Sequence, residues 1–155
     1  MKFFIPFLGK TKEKYLDDAI KDYTARLCRY ASVELPVLKE RHIHGAPDEI
    51  TQSRQAEELL ASCGQNRYKV ALDAKGRLMS SEELASKLTA WEEQGAADIA
   101  FFIGGHLGLH DTALQACDFY LALSPLTFTH EMARFLLLEQ LYRACTIRAG
   151  HRYHL

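Results

Sequence analysis

Ile99-Ala100-Phe101-Phe102-Ile103-Gly104-Gly105-His106-Leu107-Gly108 decides how this chain folds. An unbroken apolar run that stops at two glycines reads as a strand buried on both faces, then a sharp loop. Burial of both faces is the mark of a parallel sheet covered by helices. Gly104 and Gly105 let the backbone approach a ligand closely, and Gly108 permits a second turn. Ligands of open α/β sheets gather at the carboxyl ends of strands; a plain tight turn is the competing account. The loop is not the dinucleotide fingerprint, because G-x-G-x-x-G read from Gly104 needs glycine where His106 and Leu109 stand. Nor is it a P-loop, since no Gly-Lys-Ser/Thr follows.

Outward from this stretch, strands and helices alternate. Lys2–Leu8 reads as a buried strand ended by Gly9, and Val33–Leu38 as a strand whose Pro36 suits a sheet edge. Tyr68–Leu72 and Phe119–Leu123 complete five strands. Between them, Leu16, Ile20, Tyr23, Leu27 and Tyr30 recur at helical spacing over Lys12–Tyr30. Asp48 is placed to cap a helix to about Cys63. Ser80 and Glu83 form a capping box for a helix to Gln94, with Gly95 at its stop. A short helix is expected over Asp111–Cys117, with Asp111 as its cap, and a long one over His130–Ile147, capped by Thr129. His42–Pro47 and Asp73–Gly76 read as loop and turn. The pattern gives an α/β fold, a mostly parallel sheet with helices on both faces, in one domain spanning 1–155.

The 155 residues carry 19 basic and 20 acidic groups, with hydrophobic residues at 48% and charged at 25%, the balance of an ordinary globular chain. No apolar run approaches the roughly 18–20 residues that cross a bilayer, and no cleavage site follows the apolar N-terminus. A cytoplasmic protein with no membrane partner is expected. The net charge of −1 conceals an uneven distribution. Residues 1–45 hold 9 basic and 6 acidic groups, residues 46–129 hold 6 and 12, and residues 130–155 hold 4 and 2. Both ends are basic, which leaves room for a local positive field and an RNA partner. Cys28, Cys63, Cys117 and Cys145 are too far apart for a zinc ribbon or a disulfide framework and read as reduced, buried thiols.

Two further stretches carry chemistry. Leu123-Ser124-Pro125-Leu126-Thr127-Phe128-Thr129-His130 joins the last strand to the last helix. Its hydroxyls and unpaired backbone groups suit an adenine edge, with Leu126 and Phe128 covering the ring. Helix entry alone explains Thr129 but not the apolar Leu126-Thr127-Phe128. The last helix and tail carry Arg134, Arg143, Arg148 and Arg152 with His130, His151 and His154, opposed only by Glu131 and Glu139. Their apolar surface, with Met132, Phe135 and Leu136, is wide for one core-facing stripe, so part of it is expected to meet a second subunit. His106 and His110, split by Gly108, lack a third ligand, and no metal is expected.

The ordered set of Val70-Ala71-Leu72-Asp73 with Gly76, Phe102-Ile103-Gly104-Gly105 with Gly108-Leu109, Leu123 to His130, and Glu139-Gln140-Leu141-Tyr142-Arg143-Ala144 ending in Tyr153-His154 resembles one family, end to end. It is the SPOUT-class, YbeA-like ribosomal RNA large-subunit methyltransferases that act on N3 of a pseudouridine. The resemblance implies a C-terminal trefoil knot (a rare topology), S-adenosylmethionine as cofactor, a homodimer packed partly through the last helix, and the 23S rRNA of the assembled ribosome as substrate, at pseudouridine 1915. Carried over by position, the cofactor contacts are Leu72, Gly104, Gly105, Leu123, Ser124, Pro125, Leu126, Thr127 and Phe128. This chain departs from the family's pattern at His106-Leu107 and at Thr129, where many relatives have proline. The candidates near the reacting base are His130, Arg134, Tyr153 and His154, and those for RNA are Arg134, Arg143 and Arg152. The competing accounts are a non-catalytic RNA-binding module on an α/β scaffold and a small enzyme using another adenosine-bearing cofactor.

Overall fold

Two prolines shape the N-terminal third. Proline has no N–H to give to a sheet ladder, and each of the first two expected strands is interrupted where it carries one. Strand β1 (Lys2–Phe4) stops before Pro6, and β2 (Phe7–Leu8) resumes after it. Likewise β3 (Ser32–Glu34) stops before Pro36, and β4 (Val37–Leu38) follows. The two breaks lie side by side: Ile5 N–H donates to the Glu34 carbonyl at 2.8 Å and Phe7 N–H to that of Pro36 at 2.9 Å. The upper halves thus leave the main sheet and pair with each other, Phe7 against Val37 and Leu8 against Leu38. Helix α1 (Lys14–Leu27) connects the two lines of chain.

The computed structural model describes residues 1–39 and 47–151. The loop expected from His42 lies outside them except for Pro47. The order continues with α2 (Asp48–Cys63), β5 (Tyr68–Leu78), α3 (Ser81–Glu93), β6 (Asp98–Phe102), α4 (Asp111–Gln115), β7 (Phe119–Ala122) and α5 (His130–Arg148). The main sheet runs β3-β1-β6-β5-β7, and its neighbours are parallel throughout. The edge position of Pro36's strand and the central position of the apolar Ile99 strand follow the sequence.

Alternation along β6 shows how both faces are covered. Ile99, Phe101 and Ile103 join Phe3, Ile5, Val70, Leu88, Trp91 and Leu138 in the larger core, beneath α1, α3 and α5. Ala100 and Phe102 join Phe4, Leu8, Leu59 and Cys63 on the opposite face, beneath α2, with Leu109 and Cys117 flanking α4. Ser80 and Glu83 make the expected capping box, and the Thr129 hydroxyl accepts the Met132 amide at 3.3 Å. Two caps differ. Asp48 is the first residue of α2 rather than its cap, and α4 is capped by His110, whose Nδ1 accepts the Thr112 amide at 3.3 Å. The thiols also differ from expectation in two cases: Cys28 is exposed and Cys117 is only half-buried. Among the described residues, no helix is long and apolar enough to cross a membrane.

Candidate active site

Strands β6, β5 and β7 are adjacent and parallel, so the segments at their carboxyl ends emerge on one edge. Residues 72–75, 103–109 and 123–130 surround a cleft of about 800 Å³ there, closed on one side by Ala133 of α5. That is the size of a small-molecule or cofactor site.

The first segment is a loop thrown out of a strand. Leu72 and Arg77 both register against Leu121, so Asp73–Gly76 leave the ladder and the strand resumes on the same partner. The Lys75 amide donates to Asp73 Oδ1 at 2.7 Å, closing the turn. Gly76 is required by close approach, because a Cβ there would sit 2.8 Å from backbone carbons of Tyr120 and Leu121.

The second segment folds on itself. The Gly108 amide donates to the Gly105 carbonyl at 3.0 Å. A Cβ on Gly104 would lie 2.3 Å from the Gly108 carbonyl carbon. The glycines line the cleft as expected, but what excludes a side chain at Gly104 is the loop's own backbone rather than a ligand. Helix α2 supports the loop from behind: Gln52 Nε2 donates to the Leu107 carbonyl at 2.7 Å. A Cβ on Gly105 would meet the Gln55 carboxamide at 2.9 Å. Gln55 is buried, and neither polar atom of its side chain has a hydrogen-bond partner.

The third segment presents apolar surface. Ser124 Oγ accepts the Leu126 amide at 3.0 Å, which commits that hydroxyl to the turn. Leu126 is 72% exposed and Phe128 37%. Apolar side chains held open at a cleft rim are what a planar ring would cover.

Of the expected cofactor contacts, Leu72, Gly104, Gly105, Leu123, Ser124, Leu126, Thr127 and Phe128 line the cleft, and Pro125 does not. His130 lines it too. Arg134 is placed elsewhere: it is 1% exposed. Its guanidinium donates to the Leu8 carbonyl at 2.6 Å and to Thr11 Oγ1 at 3.1 Å, and lies 4.5 Å over the Phe7 ring. A side chain so enclosed holds β2 and the following loop, which corrects the expectation that it meets the reacting base or RNA. Arg143 pairs along its own helix with Glu139, at 2.5 Å. Arg152, Tyr153 and His154 lie outside the described residues.

Sequence reasoning missed three contributors. Asp73, Ala74 and Lys75, read only as a turn, form one wall. His106, left without a role, lines another. Glu131 was seen only as a charge opposing arginines. Its carboxylate accepts the backbone amides of Lys12 and Glu13 at 3.0 and 3.1 Å. Burial alone would raise its pKa, but the two amides, with Arg134 and His130 adding, hold it below the usual carboxylate value. Among the described residues, no group of three or more His, Cys, Asp or Glu is arranged to hold a metal ion.

A parallel α/β sheet with a cofactor-sized cleft at the ends of three adjacent strands defines a ligand-binding α/β domain. The chain belongs to the SPOUT methyltransferase family, whose model, described as "Predicted SPOUT methyltransferase", matches residues 1–154. It is 43% identical to the "Ribosomal RNA large subunit methyltransferase H" of Desulfotalea psychrophila, over 99% of both chains. It is 42% identical to the "Putative ribosomal RNA large subunit methyltransferase H" of Methanoregula boonei, again over 99% of both. The same name belongs to a relative in Alkaliphilus oremlandii, 41% identical over 99% of each chain.

Proposed function

We propose that the protein transfers a methyl group from S-adenosylmethionine to 23S ribosomal RNA, at N3 of pseudouridine 1915 on the assembled ribosome. The observation that carries the methyl-transfer reading is the cleft at the ends of β5, β6 and β7, lined by eight of the nine residues expected to touch the cofactor. Full-length similarity to relatives named as large-subunit rRNA methyltransferases supports the RNA substrate.

The residues present fit the cofactor. Leu126 and Phe128 offer the exposed apolar surface an adenine ring needs, and the twice-folded Gly104–Gly108 backbone brings main-chain groups to the cleft wall. When bound, the cofactor supplies an electrophilic methyl group. The chain's own work is to hold the acceptor nitrogen in line with it, and such positioning is worth about 7–11 kcal/mol of barrier. The N3–H of a pseudouridine must lose its proton before or during transfer. His130, on the cleft wall, and Tyr153 and His154 of the tail are the candidates to take it or to stabilise the resulting charge. A histidine base contributes about 10²–10⁴-fold.

The same reading gives a homodimer, supported by half-buried Met132 and Leu136 on α5, and a C-terminal segment threaded as a trefoil knot. It also makes the whole chain one methyltransferase domain in the cytoplasm. Free RNA is expected to be a poor substrate compared with ribosomes.

The test is incubation with labelled cofactor and ribosomes lacking the modification, followed by mapping of the methylated base. Label at another nucleotide would replace the proposed target. Absence of both transfer and calorimetric S-adenosylmethionine binding would leave an RNA-binding module.

A further inference from the structure

We infer that the segment Gly9-Lys10-Thr11-Lys12-Glu13, between β2 and α1, is a preset phosphate-binding element that seats the RNA against the cleft. The inference rests on the RNA-methyltransferase reading and extends it to a part of the chain with no assigned role.

Lys10 and Lys12 are exposed, and neither has an ion-pair partner among the described residues. On the helix that follows, by contrast, Lys14, Lys21 and Arg26 are each matched by an aspartate one turn away, at 2.9, 2.6 and 2.9 Å. The segment's lysines are therefore available while the helix's cations are largely neutralised.

The backbone between these lysines is fixed from a distant part of the chain. Glu131 takes the Lys12 and Glu13 amides, and Arg134 takes the Leu8 carbonyl and the Thr11 hydroxyl. These four bonds span 118 to 126 residues of sequence. The segment is therefore held in one conformation before any ligand arrives. Fixing the backbone in advance lowers the ordering cost of binding.

The anchor is also the link to the chemistry. His130, the residue before Glu131, lines the cleft, and its Nε2 lies 4.0 Å from Glu131 Oε1. The same oxygen accepts the Lys12 amide at 3.0 Å. Two short contacts thus connect the cleft wall to the basic segment. A chain with net charge −1 has no general attraction for a polyanion, so a local pair of free cations beside the cleft is where RNA phosphates would be caught.

The experiment compares the full-length wild type with Lys10→Ala/Lys12→Ala and Lys10→Arg/Lys12→Arg. Methyl transfer to ribosomes lacking the modification is measured across a range of KCl concentrations, with cofactor affinity followed by calorimetry. The alanine pair is expected to raise KM for ribosomes about tenfold or more, with kcat and cofactor affinity held within about twofold. The log–log salt dependence of ribosome affinity should become shallower by about 1.4–1.8, the loss of two phosphate contacts. The arginine pair should behave as wild type. An unchanged KM and salt slope in the alanine pair would overturn the inference. So would a fall in kcat or in cofactor binding with KM intact, because the lysines would then act on the chemistry or the fold. If the wild type itself fails to methylate ribosomes, the rRNA reading fails; if the wild type is active and the alanine pair matches it, this inference alone fails.

Discussion

Gly104 and Gly108 touch backbone to backbone: a methyl group on Gly104 would sit 2.3 Å from the Gly108 carbonyl carbon. No rotamer relieves such a contact, because both partners are main chain. Gly104→Ala must push residues 104–108 out of shape, and forced overpacking costs about 1–3 kcal/mol. Cofactor affinity should fall about tenfold or more by calorimetry. Retained affinity would mean that this loop shape is not what the cofactor reads.

The two glutamines behind that loop should respond in opposite senses. Gln52 bonds the Leu107 carbonyl, and Gln52→Ala should destabilise by about 0.5–1.5 kcal/mol. Gln55 buries a carboxamide with no partner, so Gln55→Met removes a desolvation cost of about 1–3 kcal/mol. Thermal melts should show Gln52→Ala below wild type and Gln55→Met above it, by about 2–4 °C per kcal/mol. A lower melting temperature for Gln55→Met would reveal a bond that this side chain makes in solution.

Leu126 and Phe128 separate binding from folding. Both are exposed, and exposed substitutions usually change stability by within about 0.5 kcal/mol. Leu126→Ser and Phe128→Ala should each weaken S-adenosylmethionine binding several-fold while leaving the melting temperature nearly unchanged. Equal affinity in both variants would remove these side chains from the ring site.

Glu131 gives a pH signature. Its folded-state pKa lies below the ordinary 4.5, so the unfolded chain binds the proton more readily. The stabilisation is therefore complete above about pH 5 and is lost as pH falls through the folded value. Glu131→Gln should reduce stability at neutral pH and flatten the acid limb of a stability–pH curve relative to wild type. Parallel acid limbs would show that the Lys12 and Glu13 amides do not discriminate between the two protonation states.

Thiol accessibility should be uneven. Cys28 is exposed, while burial pushes Cys117 up to about 12 and Cys145 up to about 11 and raises Cys63 as well. A disulfide reagent at pH 8 should modify one thiol rapidly in the native protein, and Cys28→Ser should abolish that phase.

Local patterns made much of this molecule legible. The apolar run Ile99–Ile103 placed the central strand, and Ser80 with Glu83 placed the start of α3, because both depend on neighbours a few residues apart. Two of the three loop segments of the cleft, residues 103–109 and 123–130, were recognisable for the same reason: a glycine pair or apolar residues between a strand and a helix stand out locally, whereas residues 73–75 read only as a turn. Pro6 and Pro36 were visible too, but their effect was not. That two interrupted strands would leave one sheet together and start another depends on their lying side by side. Arg134 and Glu131 show the limit most clearly. In the sequence they are a cation and an anion on a helix, which suggests RNA and solvent. Only the packing of α5 against residues 8–13, more than a hundred positions away, makes one a buried anchor and the other an acceptor for two backbone amides. The sequence by itself determined which segments form strands and helices and which loops carry ligand chemistry, because those follow from short-range periodicity and capping. Tertiary structure alone decided which charged side chains are spent on holding the fold and which stay free for a partner, because burial and long-range hydrogen bonding have no local signature.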